Sequence, residues 1–344
     1  MFKQKPLWLV KFLHYEYWGI WTFYLPLLPY LLYLGVKARS LAFISAVNRF
    51  GGKEDFIGED KHGILAEISP EYLPVNLLFE AHQDFDLVRK ALIDSHLKYP
   101  VIAKPNAGER GFGVVKIADE AALKTYFEQS NFEVIVQEFV DFEIELGVFF
   151  IRKPNETEGK VTSVTLKEFL NVVGDGKSTV RELLAKSDRA RFQLIRLQNE
   201  KPDLLAMIPE SGVKVTVETI GNHCKGTKFL NANHLINNEL NTVFNAIASP
   251  IKGFHYGRFD LRVYSIADLF EGKNIKILEL NGGLSEVTHI YDPAENLFNA
   301  YRAVAWHWNQ GAEIAILNRE KGILPVSFSE VVSRIRQHQK EQAQ

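Results

Sequence analysis

Two runs, Tyr256-Gly-Arg-Phe-Asp260-Leu-Arg-Val263 and Ile275-Lys-Ile-Leu-Glu279-Leu-Asn281-Gly-Gly283, decide how this chain folds. Both alternate in strand fashion, with successive side chains on opposite faces. Arg258, Asp260 and Arg262 then share one face, and Phe259, Leu261 and Val263 the other. In the second run Ile275, Ile277, Glu279 and Asn281 are expected on a single face. The break at Ala267–Gly272 reads as a hairpin connection longer than the tightest turns. The midpoint between Asp260 and Glu279 falls there, so antiparallel pairing sets the two carboxylates close to opposite, with Asn281 two residues along. Like charges facing each other across a ladder repel. A divalent cation removes that penalty, and Asp, Glu and Asn form an all-oxygen ligand set suited to magnesium. Glu279 lies in an apolar run, which weighs against a merely solvated hairpin face.

Upstream, Tyr99-Pro-Val-Ile-Ala-Lys104-Pro105 reads as a short buried strand ending in a lysine. The glycine-rich Asn106-Ala-Gly108-Glu-Arg110-Gly111-Phe-Gly113 follows, and then a second strand, Val114–Ile117. A glycine-rich loop between strands makes a flap whose N–H groups approach phosphates closely. A lysine at the strand end meets phosphate charge. Because a strand and not a helix comes after the glycines, this is not the dinucleotide fingerprint. Ala118–Ser130 carries helical spacing. The strand at 133–140, with Gln137, Glu138, Phe139 and Val140, runs through Asp141 to Glu145 into another strand. Backbone groups at such a crossover can read an adenine edge, and Glu145 can bind ribose hydroxyls; a plain edge strand with solvated acids is the alternative.

Further on, Asn171-Val-Val-Gly174-Asp-Gly176-Lys177-Ser178 imitates the tail of a P-loop. That motif requires glycine where the chain has Asn171, so the segment is expected to be a tight turn capping a helix at Ser178 or Thr179. Residues 48–80 read as a loop-rich linker; Lys53, Lys61 and His62 could serve a ligand there, and a solvated linker is the preferred reading. Gln83–Lys98, Asn238–Ala248 and Pro293–Gln310 are expected to be helices, with another near Ser329–Gln339.

The first fifty residues differ in character. Tyr17–Val36 holds no formal charge, and Trp8, Trp18 and Trp21 lie at or near its start. Twenty residues just match a bilayer core. Pro26 and Pro29 interrupt the stretch, however, and internal prolines break helices. Lys3, Lys5 and Lys11 precede it, and Lys37 and Arg39 follow it. A re-entrant or interfacial arrangement keeps both basic flanks on the cytoplasmic side. A buried helical hairpin of the globular body is the competing expectation. The net charge of −2 gives no bulk signal for nucleic acid, and the single Cys224 excludes a disulfide framework.

The order of glycine-rich flap, crossover, Arg-Phe-Asp strand and Glu-x-Asn strand resembles the ATP-grasp superfamily, on its D-alanine–D-alanine ligase-like branch of carboxylate–amine ligases. The resemblance covers roughly residues 70–312, and Gly257–Asp260 with Leu278–Gly282 carries it most specifically. Gly174-Asp-Gly-Lys-Ser-Thr is similar to a turn of amide-forming relatives. The resemblance implies an α+β fold of two subdomains clasping ATP. The chain would divide into an apolar membrane-associating helical segment (1–47), a reduced linker region (48–98), the ATP-grasp domain (99–312) and a C-terminal helix and tail (313–344). Lys104 would contact the phosphates, and Gly108, Arg110, Gly111 and Gly113 would close over them. Gln137, Glu138, Phe139 and Val140 would line the adenine pocket, and Glu145 the ribose site. Asp260, Glu279 and Asn281 would hold one or two magnesium ions, with manganese able to substitute. Arg258 would face the transferring phosphoryl group.

That site implies an ATP-dependent ligase joining a carboxylate to an amine acceptor, and the apolar segment places it at the cytoplasmic face of a membrane, where a lipid-linked acceptor is the expectation. An ATP-grasp phosphotransferase and a non-catalytic, membrane-associated ATP-binding protein share the same nucleotide site. Two features depart from the D-alanine ligases: an apolar segment stands where their N-terminal substrate domain would be, and Gly-Gly-Leu-Ser-Glu follows Asn281. D-alanine is therefore not carried over as the substrate.

Overall fold

Strand-forming runs separated by capped helices build three antiparallel sheets in a computed structural model, which describes residues 4–50, 61–106, 113–327, 329–334 and 336. Its strands are β1 (Asn76–Phe79), β2 (Val101–Pro105), β3 (Val115–Ile117), β4 (Val134–Glu138), β5 (Ile144–Ile151), β6 (Lys160–Glu168), β7 (Asn171–Val173), β8 (Lys214–Thr216), β9 (Lys228–Asn231), β10 (Tyr256–Val263) and β11 (Ile275–Asn281). The first sheet runs β1-β4-β2-β3, the second β11-β10-β5-β6-β9, and β7 pairs with β8 alone. The fold is mixed α and β, as the alternation and the helical spacing require.

In the first sheet Val101, Ala103, Val134 and Val136 turn one face to the helices Phe85–Asp94 and Glu120–Gln129. Asp84 and Asp119 cap those helices by accepting from Asp86 and Ala122 N–H, the side-chain capping that aspartate provides. Residues 76–94, read as linker and helix, thus supply a strand and a helix to this layer. In the second sheet Leu146, Val148, Phe259, Leu261 and Val263 face the helix Asn238–Ala248, forming one core. The opposite face is divided. At one end it carries Glu145, Arg258, Asp260 and Arg262; at the other, Phe149, Ile151 and Tyr256 pack under the long helix Leu297–Glu320 and the N-terminal segment. This division leaves a polar floor open beside an apolar lid.

The N-terminal segment is broken into the helices Leu7–Leu13, Ile20–Tyr24 and Leu28–Lys37, and among the described residues no helix is long and apolar enough to cross a membrane. Pro26 and Pro29 sit in the first turn of new helical elements, where a missing N–H costs nothing. One side, Phe23, Leu27, Leu34 and Phe43, is buried against Ile290, Ala300, Val304 and Ala312.

Two expected elements differ. The break between β10 and β11 is a short helix, Ile266–Glu271, because Ser265 caps its start and Gly272 closes it in the left-handed region (φ 68°). The long helix continues to Glu320, ten residues past the expected end, through a helix-forming run. The turn at Gly174–Ser178 caps a helix, as expected: Asp175 accepts from Lys177 and Ser178 N–H, and Thr179 forms a capping box with Glu182.

Candidate functional site

β10 and β11 pair so that Asp260 stands opposite Glu279 and Arg258 opposite Asn281. The alternation expected for β11 fails at one point. Leu261 pairs with Ile277, so Leu278 is an extra residue that bulges from the ladder. Ile275 and Ile277 consequently face the core with Leu261 and Val263, while Glu279 and Asn281 face the floor. The expectation of one shared face for all four is corrected by that single inserted residue. The bulge also turns the Leu278 carbonyl to accept from Lys104 Nζ at 3.1 Å and from Gln137 Nε2 at 3.4 Å.

Every carboxylate of the floor is answered by cations. Arg258 grips Asp260 through Nε (2.8 Å) and Nη2 (3.1 Å), and Asn281 Nδ2 donates to the same carboxylate at 3.2 Å. Lys167 lies 3.5 Å from Asp260 and 3.1 Å from Glu145. Arg262 donates to Glu145 at 2.9 Å, to Val140 O at 2.7 Å and to Thr219 O at 3.1 Å. Lys61 reaches Glu279 at 2.7 Å. Among the described residues the network joins five cations (Lys61, Lys104, Lys167, Arg258, Arg262) to three carboxylates (Glu145, Asp260, Glu279), a surplus that suits a polyanion.

The charge states follow. Burial pushes the Asp260 carboxyl up, but Arg258 and Lys167 outweigh it and hold it at about 2. Burial likewise opposes the Lys167 ammonium, and Asp260 and Glu145 override it, keeping Lys167 above the usual lysine range. Glu279 is held below its usual range against burial, chiefly by Lys61. Lys104 is the exception: burial, with Lys61 nearby, takes it down to about 8 despite Glu279.

Asp260, Glu279, Asn281, Arg258 and Lys104 thus lie together. Gly108, Arg110 and Gly111 lie outside the described residues. Gly113 has φ 67° and accepts from Tyr126 at 2.8 Å; a side chain there would meet Pro105. The buried Gln137 donates to Asn76 at 2.7 Å, and Glu138 accepts from Val75 N–H at 3.1 Å. Phe139 lies under Lys116, and Glu145 pairs with Lys167 and Arg262. A cavity of about 250 Å³ beside this crossover is lined by His62, Leu65, Pro74, Val75 and Asn76. A larger one, about 380 Å³, lies on the far side, where Lys186, Arg189 and Lys228 line it and Phe169 backs onto Arg262.

Sequence reasoning missed Lys167 and offered Lys61 as a ligand group only as the lesser alternative to a solvated linker. Lys167 belonged to a strand that went unremarked. The clue was its alternation with Ser163 and Thr165 at 163, 165 and 167. Among the described residues no cluster of three or more His, Cys, Asp or Glu could hold a metal ion. Two carboxylates and an amide still fit magnesium, which takes one or two protein carboxylates and completes its shell with phosphates and water.

No family model matches the chain. The glutathione biosynthesis bifunctional protein GshAB of Streptococcus mutans is 33% identical over 97 residues, 26% of this chain; the chain spans 12% of that relative's length. Among solved structures, a bifunctional glutathione synthetase from Pasteurella multocida matches at 16% identity over 72% of this chain and 36% of its own, TM-score 0.38. The VanG D-Ala:D-Ser ligase from Enterococcus faecalis matches at 17% over 75% and 61%, TM-score 0.42. A D-alanine–D-alanine ligase from Bacillus anthracis matches at 17% over 76% and 69%, TM-score 0.41. With the shared stretch and the paired Asp260 and Glu279 ringed by lysine and arginine, the chain is similar to the ATP-grasp superfamily, on its carboxylate–amine ligase branch.

Proposed function

We propose that the protein is an ATP-dependent carboxylate–amine ligase. The observation that supports this is the juxtaposition of Asp260 and Glu279 at one register position, inside a ring of Lys61, Lys104, Lys167 and Arg258. Asp260, Glu279 and Asn281 would hold magnesium, which neutralises phosphate charge when bound. Lys104 and Lys61 bind phosphate oxygens. Arg258 exchanges part of its contact with Asp260 for the transferring phosphoryl group. A carboxylate oxygen attacks the γ-phosphorus and the bond to ADP breaks, giving an acyl phosphate. The amine nitrogen then attacks the acyl carbon, the C–N bond forms, inorganic phosphate leaves, and the amine's proton passes to water. The floor's fixed cations stabilise the charge that develops at each stage.

The substrates are a small carboxylate and an amine, the latter lipid-linked, and the enzyme works at the cytoplasmic face of a membrane. The test is ATP consumption by the purified chain against pooled carboxylates and amines, with products read by mass spectrometry. Phosphate released only when an amine is present supports the ligase. A phosphate ester product, or ATP consumption unaltered in Asp260→Asn, overturns it.

A further inference from the structure

We propose that the outer side of residues 7–41 is a docking surface for an anionic lipid bilayer, lying in the plane of the interface. This deepens the membrane location given to the ligase by naming the surface that makes contact, and its test needs no turnover.

The N-terminal segment has two sides. Its inner side is fixed by the buried Phe23, Leu27 and Leu34 and by the ion pair of Glu16 with Arg189, both of them buried. Its outer side carries Trp8 (71% exposed), Phe12 (71%), Trp21 (82%), Leu25 (63%), Leu32 (47%) and Val36 (76%), drawn from all three helices. Scattered single apolar residues are ordinary on a protein surface, but a contiguous run of them marks an interface. Between Tyr17 and Val36 no residue carries a formal charge, and Lys11 stands at the edge beside Trp8 and Phe12.

The charges at its borders identify the occupant. Up to residue 47 the chain has five basic residues (Lys3, Lys5, Lys11, Lys37, Arg39) and one acid, Glu16. Glu16 is spent inward on Arg189, and Glu313 of the long helix, which faces Lys37, is already paired with Lys153, so the border of the strip is net basic. A second copy docking on this face through a two-fold axis would set the same net-basic borders against each other. An anionic leaflet answers both features at once, taking tryptophan and leucine into its headgroup boundary and lysine and arginine at its phosphates. The helices are too short to cross, so they lie flat.

The test is co-sedimentation of the full chain with vesicles of phosphatidylcholine alone and of phosphatidylcholine with about a third phosphatidylglycerol. The chain is expected to pellet with the second and not the first, with tryptophan emission shifting to the blue. Trp21→Glu combined with Leu25→Glu should weaken binding about tenfold or more, and Lys11→Gln with Lys37→Gln roughly twenty-five-fold, at about fivefold per charge. Ile195→Glu, at an 82% exposed apolar position elsewhere on the surface, should leave binding unchanged and is the control. Circular dichroism and nucleotide binding confirm that each variant is folded. The proposal is overturned if the wild type stays in the supernatant with both vesicles, if it binds both equally, or if Trp21→Glu with Leu25→Glu binds as the wild type does. A lipid-free dimer that those substitutions dissociate would assign the face to a second copy instead.

Discussion

Lys104 carries its charge where burial works against it, and a nucleotide needs that charge. Folded, it gives up its proton near pH 8; unfolded, it would keep it to about 10.5. The unfolded chain therefore binds more protons between those values, so this lysine's penalty on stability fades as pH rises through the window. Phosphate binding runs the other way: ATP affinity is expected to fall toward tenfold per pH unit above pH 8, measured by calorimetric titration. Lys104→Arg, which stays charged, should flatten that profile. Asp260→Asn and Glu279→Gln are each expected to cut ATP turnover by about a hundredfold or more, and Asp260→Asn also to lower the thermal melt, because it leaves the buried Arg258 and Lys167 without their carboxylate. At this scale the sequence was legible where chemistry stood on an alternating pattern: Asp260, Glu279 and Lys104 announced themselves. Lys61 and Lys167 did not, because a lone lysine acquires meaning only from the carboxylate that tertiary structure brings to it.

Between residues and fold stands the Leu278 bulge. An inserted residue leaves no mark on an alternating string, so Ile275-Lys-Ile-Leu-Glu reads as an unbroken strand although its face changes partway. Deleting Leu278 should restore the plain ladder with Glu279 still opposite Asp260, but remove the carbonyl that holds Lys104 and Gln137, and so weaken nucleotide binding. A deletion variant that binds ATP as the wild type does would separate the bulge from the site. Gly147, opposite Asp260 on β5, makes a second demand. A Cβ there would lie 3.2 Å from both Arg258 Cδ and Asp260 Oδ1, tighter than ordinary contact. Gly147→Val is expected to displace the Arg258–Asp260 pair and weaken ATP binding at least about tenfold, with a smaller effect on stability, since the β-branched residue suits a strand.

Across the whole molecule, the N-terminal segment completes a core. Phe23 is 2% exposed and packs against Tyr15, Tyr291 and Tyr301. Phe23→Ala should cost about 3–5 kcal/mol in denaturant unfolding. Removing residues 1–40 should leave the long helix uncovered and the protein prone to aggregate. The apolar character of this segment was plain in the sequence, but which side would be covered was not: the covering surface comes from residues 287–315, far along the chain.

That separation has a consequence for biogenesis. Tyr24 donates to Glu286, and Phe23 finds its partners some 270 residues later. At a translation rate of roughly 5–20 residues per second, about 15–55 seconds elapse between the emergence of the first aromatic helix from the ribosome and the appearance of the surface that shelters it. During that interval the nascent chain presents both of its oily sides, and a chaperone or a bilayer must hold it until its distant half is made.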